Sequence, residues 1–301
     1  MSAPKGKQQG IALVLVLWSL VLLTTIAGSI SMASRTELSM TRNLVDEVRG
    51  RGLVDAGFAY VMSKYVGKSV PDEDLPADGR LREWQFDGVS IKVGLVGESA
   101  KINLNMADEE LLLGGFLSAG IEQEEAESLR DAVMDWRDAD DIHRLLGAED
   151  PEYENEGYSY GAADKKFESV TELGLVMGMT QEVMTRVEPL FTVYSNAKTI
   201  NPDFASREVL LSIPGISEEL VDQFIADREA NEDEDNPVTF PFSDQRFLAK
   251  NQTGVYRIFS LVDMGGGHQV YGEMVVDLRS RGIKKYQILQ VRYNPTDFPV
   301  T

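Results

Sequence analysis

Residues 11–34, IALVLVLWSLVLLTTIAGSISMAS, contain no charged side chain. Lys5 and Lys7 precede the run, and the first acid, Glu37, follows it. About 20 apolar residues in helical form cross the hydrocarbon core of a bilayer, so the run is long enough. With both lysines before it, the N-terminus is expected on the cytoplasmic side and the rest of the chain outside. A cleaved secretory signal is the competing reading, but its apolar core spans about 7–15 residues, and here the helical pattern goes on. Val54, Phe58, Val61 and Tyr65 recur at intervals of four, three and four, with Arg49, Arg51 and Lys64 nearby. That is the spacing of an amphipathic helix. A continuous helix is expected over residues 11–68, apolar all round at first and then with one sticky side able to pack in a bundle.

Composition narrows the rest. The 301 residues carry 29 Lys+Arg against 49 Asp+Glu, a formal net charge of −20. Such a balance disfavours phosphate backbones as partners. Hydrophobic residues at 43% exclude a disordered acidic tail. The absence of Cys removes disulfides, thiolate nucleophiles and Cys-ligated metals. His143 and His268 are the only histidines, too few for a His-rich metal site. No G-x-S-x-G elbow, phosphate loop or H-E-x-x-H occurs, so nothing selects a catalytic group and an enzyme is not expected.

Beyond a polar linker at 69–79, alternating runs at 81–86 and 89–96 flank Asp87-Gly88, a strong hairpin signal. Three more strand-like runs, 255–262, 269–278 and 286–293, are separated by Gly265-Gly266-Gly267 and Ser280-Arg281-Gly282. A lone two-stranded hairpin is marginal in water. The expected fold class is therefore α+β: one antiparallel sheet, from residues 69–102 and 244–301, packed on the long helix. Residues 103–243 become an inserted α-helical domain.

That insertion repeats itself. Ile102-Asn103, Ala107, Glu110 and Leu112-Leu113 match Ile200-Asn201, Ala205, Glu208 and Leu210-Leu211 in step. Gly120-Ile121 matches Gly215-Ile216, Asp135-Trp136-Arg137 loosely matches Ala226-Asp227-Arg228, and Gly178-Met179-Thr180 marks a weaker third copy. Each copy reads helix, Gly-containing hairpin, helix, and resembles a helix-hairpin-helix (SAM-like) unit. Many such units bind nucleic acid, so a membrane-anchored DNA receptor is an alternative. Charge opposes it: residues 200–236 hold two Arg against eleven acids, and residues 101–150 four Lys+Arg against fourteen. Backbone binders need cations there, and no nucleic-acid partner is expected.

The densest chemical constellation is Asp135-Trp136-Arg137-Asp138-Ala139-Asp140-Asp141 followed by Gly147-Ala148-Glu149-Asp150. Hard cations take several oxygen ligands. Asp138, Asp140 and Glu149 have the spacing of positions 1, 3 and 12 of an EF-hand, but Ile142 and His143 occupy positions 5 and 6, so it is not one. An irregular calcium loop and a solvated acidic face both remain open on these residues. Residues 151–164 read as a long irregular loop, and the acids at 232–235 as a solvated one.

Lys5-Gly6-Lys7-Gln8-Gln9-Gly10 followed by Ile11-Ala12-Leu13-Val14-Leu15 resembles a type IV pilin-like leader. The resemblance implies cleavage of residues 1–10 by a prepilin peptidase, between Gly10 and Ile11, with methylation of the new terminus. Most pilins carry Glu at the fifth mature position; this chain has Leu15. A bilayer carboxylate is costly without a partner, and a tip subunit has no neighbour above it to supply one. The pattern is thereby similar to the minor pseudopilin K family of type II secretion, a pilin-like fold with a large α-helical insertion. The family likeness implies an inner-membrane, single-pass subunit with a periplasmic domain, at the pseudopilus tip with minor pseudopilins I, J and H. It implies calcium at Asp138, Asp140, Asp141, Glu149 and Asp150. Leu15, Val54, Phe58, Val61 and Tyr65 are expected to pack against partner helices. A minor pilin of a type IV pilus is the other pilin-like alternative, disfavoured by Leu15 and the insertion.

Overall fold

No proline occurs between Gln9 and Tyr65, and in the computed structural model that stretch is one helix of 57 residues, α1 (Gln9–Tyr65). The structure describes residues 9–66, 75–231, 238–241, 246–250, 254–265, 267–279 and 285–294. Leader residues 1–8, linker residues 69–74, the acidic run 232–235 and the turn at 280–282 lie outside the described residues. The chain divides into two units, residues 1–52 and 53–301.

In the first unit α1 carries its apolar side chains in the open; Leu15 is 63% exposed, and Trp18 and Leu22 are similarly so. Its hydroxyls find partners within the helix. Ser19, Thr24, Thr25 and Ser29 donate to the carbonyls of Leu15, Val21, Leu22 and Ile26 at 2.8–2.9 Å. Such back-bonding lets a hydroxyl sit among apolar surroundings without an unmade hydrogen bond. By length and composition, α1 is able to cross a membrane.

The second unit holds the end of α1 and, in chain order, β1 (Arg82–Phe86), β2 (Val89–Gly97), β3 (Ile102–Asn103), α2 (Glu109–Ser118), α3 (Gln123–Arg137), α4 (Asp150–Asn155), α5 (Gln181–Val187), β4 (Phe191–Thr192), α6 (Arg207–Leu211), α7 (Glu218–Ala230), β5 (Val255–Asp263), β6 (Gln269–Asp277) and β7 (Gln287–Tyr293). Strands from both sides of the helical segment form one antiparallel sheet, ordered β1-β2-β5-β6-β7. The seam is β2 against β5, with Val93 opposite Ser260. Asp87 and Gly88 have φ of 51° and 75°, the positive pair a type I′ hairpin needs.

Alternate residues of the central strands face α1, as the period of two dictates. Ile91, Val93 and Leu95 of β2, Ile258 of β5, and Met274 and Val276 of β6 share a core with Val54, Phe58, Val61 and Tyr65. Val54 and Val61 are fully buried, and Phe58 and Tyr65 nearly so. These four residues were expected to meet partner helices; they meet this chain's own sheet instead. Burying each large apolar side chain stabilises by about 1.5–3 kcal/mol, and the sheet, joined covalently, takes the stripe first.

The other face of the sheet is covered too, so β5 and β6 are buried almost end to end. That face carries Arg257, 5% exposed, which pairs with Glu98 at 2.8 Å and Glu273 at 2.7 Å. Arg292 of β7 lies 2.8 Å from Glu273 and also pairs with Glu188. Thr192 of β4 donates to Glu98. Burial alone would raise the Glu98 carboxyl; the positive charges of Arg257 and Lys101 outweigh it and hold it below its ordinary value.

The insertion has a second core, in which Leu104, Leu112, Phe116, Val133, Phe191, Leu210 and Phe224 are buried. Ile102, Phe247 and Leu248 belong to it, so it reaches beyond the expected limits of 103 and 243 at both ends. β3 pairs in parallel with β4, and Ile200 bridges to Leu248. α2–α3 and α6–α7 are joined through Gly120 and Gly215, at φ 75° and 79°, where a Cβ would be strained. The sequence repeat has a matching hydrogen-bond pattern. Arg137 donates to the carbonyls of Leu104 and Ala107, and Arg228 to those of Pro202 and Ala205.

Arg257→Met leaves Glu98 buried with its main partner gone, a loss expected to destabilise by about 3–5 kcal/mol. Urea unfolding of the full chain in detergent reads this; a change below about 1 kcal/mol, the range of an exposed pair, contradicts it.

Candidate functional site

α3 ends where its carboxylates begin to crowd. Asp135, in the last turn, is fully buried, and Asp138 is the C-cap. The chain then loops to Glu149, the N-cap of α4, where Glu149 and Glu152 form a reciprocal capping box. Glu149 N–H donates to Glu152 Oε2 at 3.0 Å. An aromatic nest holds the loop from beneath: Trp136 lies 5.9 Å from Tyr153 and 6.3 Å from both Tyr160 and Phe167. Tyr153 is fully buried and its hydroxyl accepts from Met177 N–H at 2.9 Å. The stretch read as an irregular loop, 151–164, therefore begins as helix α4, because Tyr153 is a core residue and the capping box starts the helix.

The five candidate carboxylates fall into different environments. Asp138 is held through Oδ2 by Arg144 Nη1 at 2.7 Å, while its Oδ1 is buried without a hydrogen-bond partner. Glu149 is 3% exposed, and its Oε1 is likewise buried and unpartnered. Asp140 and Asp141 are exposed, and Asp140 Oδ1 accepts from Ile142 N–H at 3.1 Å. Asp150 starts α4 and packs so closely on Gly161 that a Cβ there would collide with its carboxylate. Among the described residues no three carboxylate or imidazole side chains form a ready metal cage. The buried oxygens among these five that lack a hydrogen-bond partner are Asp138 Oδ1 and Glu149 Oε1.

Three contributors are absent from the sequence-based set. Asp131, buried, accepts from Leu146 N–H at 3.2 Å and ties down the loop. Asp164 adds its charge beside Glu149. Arg144 bridges Asp135 and Asp138, and it is the only Lys or Arg between Asp138 and Asp150, a signal that was there to read. Asp131 and Asp164 had none, since their neighbours are fixed by packing.

Burial first, then the charges of Asp135, Asp164, Asp138 and Asp141, push the Glu149 carboxyl up to about 7. Burial likewise raises Asp135, against the opposing hydrogen bonds from Arg144. Between the ordinary glutamate value and about 7, the folded chain keeps a proton at Glu149 that the unfolded chain has lost. Stability from this group is present at low pH and lost as pH rises through 7. In chelator, Tm of the full chain is expected to fall between pH 5 and 8, and Glu149→Gln to flatten that slope. Equal slopes in the two proteins contradict the assignment.

Comparison with known proteins agrees with this architecture. Residues 100–196 match the family model described as type II secretion system (T2SS), protein K. The chain is 24% identical over 279 residues to type II secretion system protein K of Dickeya chrysanthemi, covering 74% of this chain and 78% of the relative. The Pseudomonas aeruginosa protein K is 24% identical over 244 residues, covering 71% and 72%. In fold the chain is similar to a chain of the GspK-GspI-GspJ complex from enterotoxigenic Escherichia coli, with a TM-score of 0.58 at 15% identity, covering 87% of this chain and 99% of that one. Domain, relatives and fold converge on a similarity to type II secretion system protein K.

Proposed function

We propose that this chain is a minor pseudopilin of type II secretion that assembles at the pseudopilus tip with the minor pseudopilins I, J and H. The observation that carries the reading is the split sheet: a pilin-like helix and sheet interrupted by a helical domain, matching nearly the whole of a GspK chain solved with GspI and GspJ. The role is assembly rather than catalysis. The apolar part of α1 anchors the subunit in the inner membrane, with the second unit periplasmic. A prepilin peptidase removes residues 1–10 and methylates Ile11. Because Val54, Phe58, Val61 and Tyr65 are committed to this chain's own core, partner helices meet the exposed apolar part instead, from Leu15 to Val48. An apolar Leu15 demands no neighbour above it, which suits the first subunit of a filament.

The acidic loop fits a structural calcium ion. Two buried bare carboxylate oxygens, Asp138 Oδ1 and Glu149 Oε1, are costly unless something positive meets them. Asp138 and Glu149 would hold the ion, with Asp141, Asp150 and Asp164 close enough to add charge or reorient; Asp140 is less apt, since Ile142 N–H already uses one of its oxygens. Bound calcium supplies charge neutralisation that fixes the loop between α3 and α4.

Two measurements test these readings. Coexpressed with a prepilin peptidase and type II secretion pseudopilins I and J, the full chain is expected to lose residues 1–10, gain one methyl group and copurify with both. An unprocessed mass with no association overturns the pseudopilin reading. Calcium titrated calorimetrically into the chelator-stripped chain is expected to bind and to raise Tm, which saturating ligand does by about 2.7 kcal/mol of stability at a hundredfold excess over Kd. No heat and an unchanged Tm overturn the calcium reading.

A further inference from the structure

We propose that Arg144 is a positioning residue for the cation site: it fixes Asp138 by one carboxylate oxygen and leaves the other bare for the ion. The proposal rests on the calcium reading above. Arg144 Nη1 donates to Asp138 Oδ2 at 2.7 Å and is shared with Asp135 Oδ1. The backbone N–H of Arg144 takes the second Asp135 oxygen at 3.0 Å. Asp135 is thus used up on both sides and anchors the arginine, not the ion. Gly147 makes room for this anchor, because a Cβ there would collide with the Asp135 carboxylate.

The same division recurs across the site. Glu149 gives one oxygen to the capping box of α4 and keeps Oε1 bare. Each of the two ligands is therefore oriented through one oxygen and open through the other. Residues that orient metal ligands from behind are commonly worth 10–100-fold in affinity.

Coulomb's law gives the opposite sign. A guanidinium close to a divalent cation repels it, so an arginine acting only as a charge weakens binding, and its removal tightens binding. Orientation and charge therefore predict changes in opposite directions.

The test is calcium binding by calorimetry to the chelator-stripped full chain in detergent. Arg144→Gln is expected to weaken binding about 10–100-fold. Arg144→Lys keeps the charge without the planar fork and is expected to recover only part of the loss. Arg130→Gln removes a cation from α3 that pairs with Asp131 rather than Asp138, and is expected to leave affinity unchanged or slightly tighter. Should Arg144→Gln not fold, Arg144→Lys decides: it keeps the charge, so weaker binding in that variant reads the lost orientation alone. Unchanged or tighter binding in Arg144→Gln, or in Arg144→Lys when that variant decides, overturns the role of Arg144 alone. Absence of calcium binding by the unsubstituted chain overturns the calcium reading and the role together.

Discussion

A buried guanidinium cannot be left unpaired, and Arg257 sets the terms on which the helical domain meets the sheet. It sits on the sheet face opposite α1, between Glu98 and Glu273. Glu98 lies in the short turn that leads out of β2 into the helical domain, Glu273 is on β6, and Arg292 on β7 reaches across to Glu188. Ion pairs of this kind add little net stability over an apolar contact, but they are directional. An apolar seam tolerates sliding; a seam of fixed hydrogen bonds does not. The apolar cores on the two sides remain separate clusters, so the polar seam aligns them.

Covering both faces explains the burial of β5 and β6. One face takes α1 through alternate apolar residues, and the other takes the charge network. Little of the central sheet is left for partners, and the Val54-to-Tyr65 stripe is closed to them as well. Among the described residues, α1 before residue 53 carries a long run of exposed large apolar side chains.

The acidic loop shows a similar economy of placement. A chain of net charge −20 has carboxylates everywhere, and most of them are wet. At the α3–α4 junction, above the aromatic nest, two of them, Asp138 and Glu149, each have one oxygen out of water and without a hydrogen-bond partner. Burial, more than acid count, separates these two from Asp140 and Asp141, which sit in the same sequence motif but in solvent.

Much of the fold was legible because it rests on local periodicity. The apolar run at 11–34 and the four-three-four spacing to Tyr65 require a long helix. Alternation around Asp87-Gly88 and after residue 254 requires strands, found within two residues of the expected limits. The sheet could be assembled by reasoning that neither strand group is stable alone. Tertiary structure decided what the helix stripe packs on, since an amphipathic face states only that it must be covered, not by what. It also decided that 151–155 is helix, through the burial of Tyr153, and that Arg257 is interior, through partners 159 and 16 residues away. The acids of the site were visible as a cluster. Which of their oxygens lie bare depends on Arg144, on the α4 cap and on burial, and those are set only when distant segments meet.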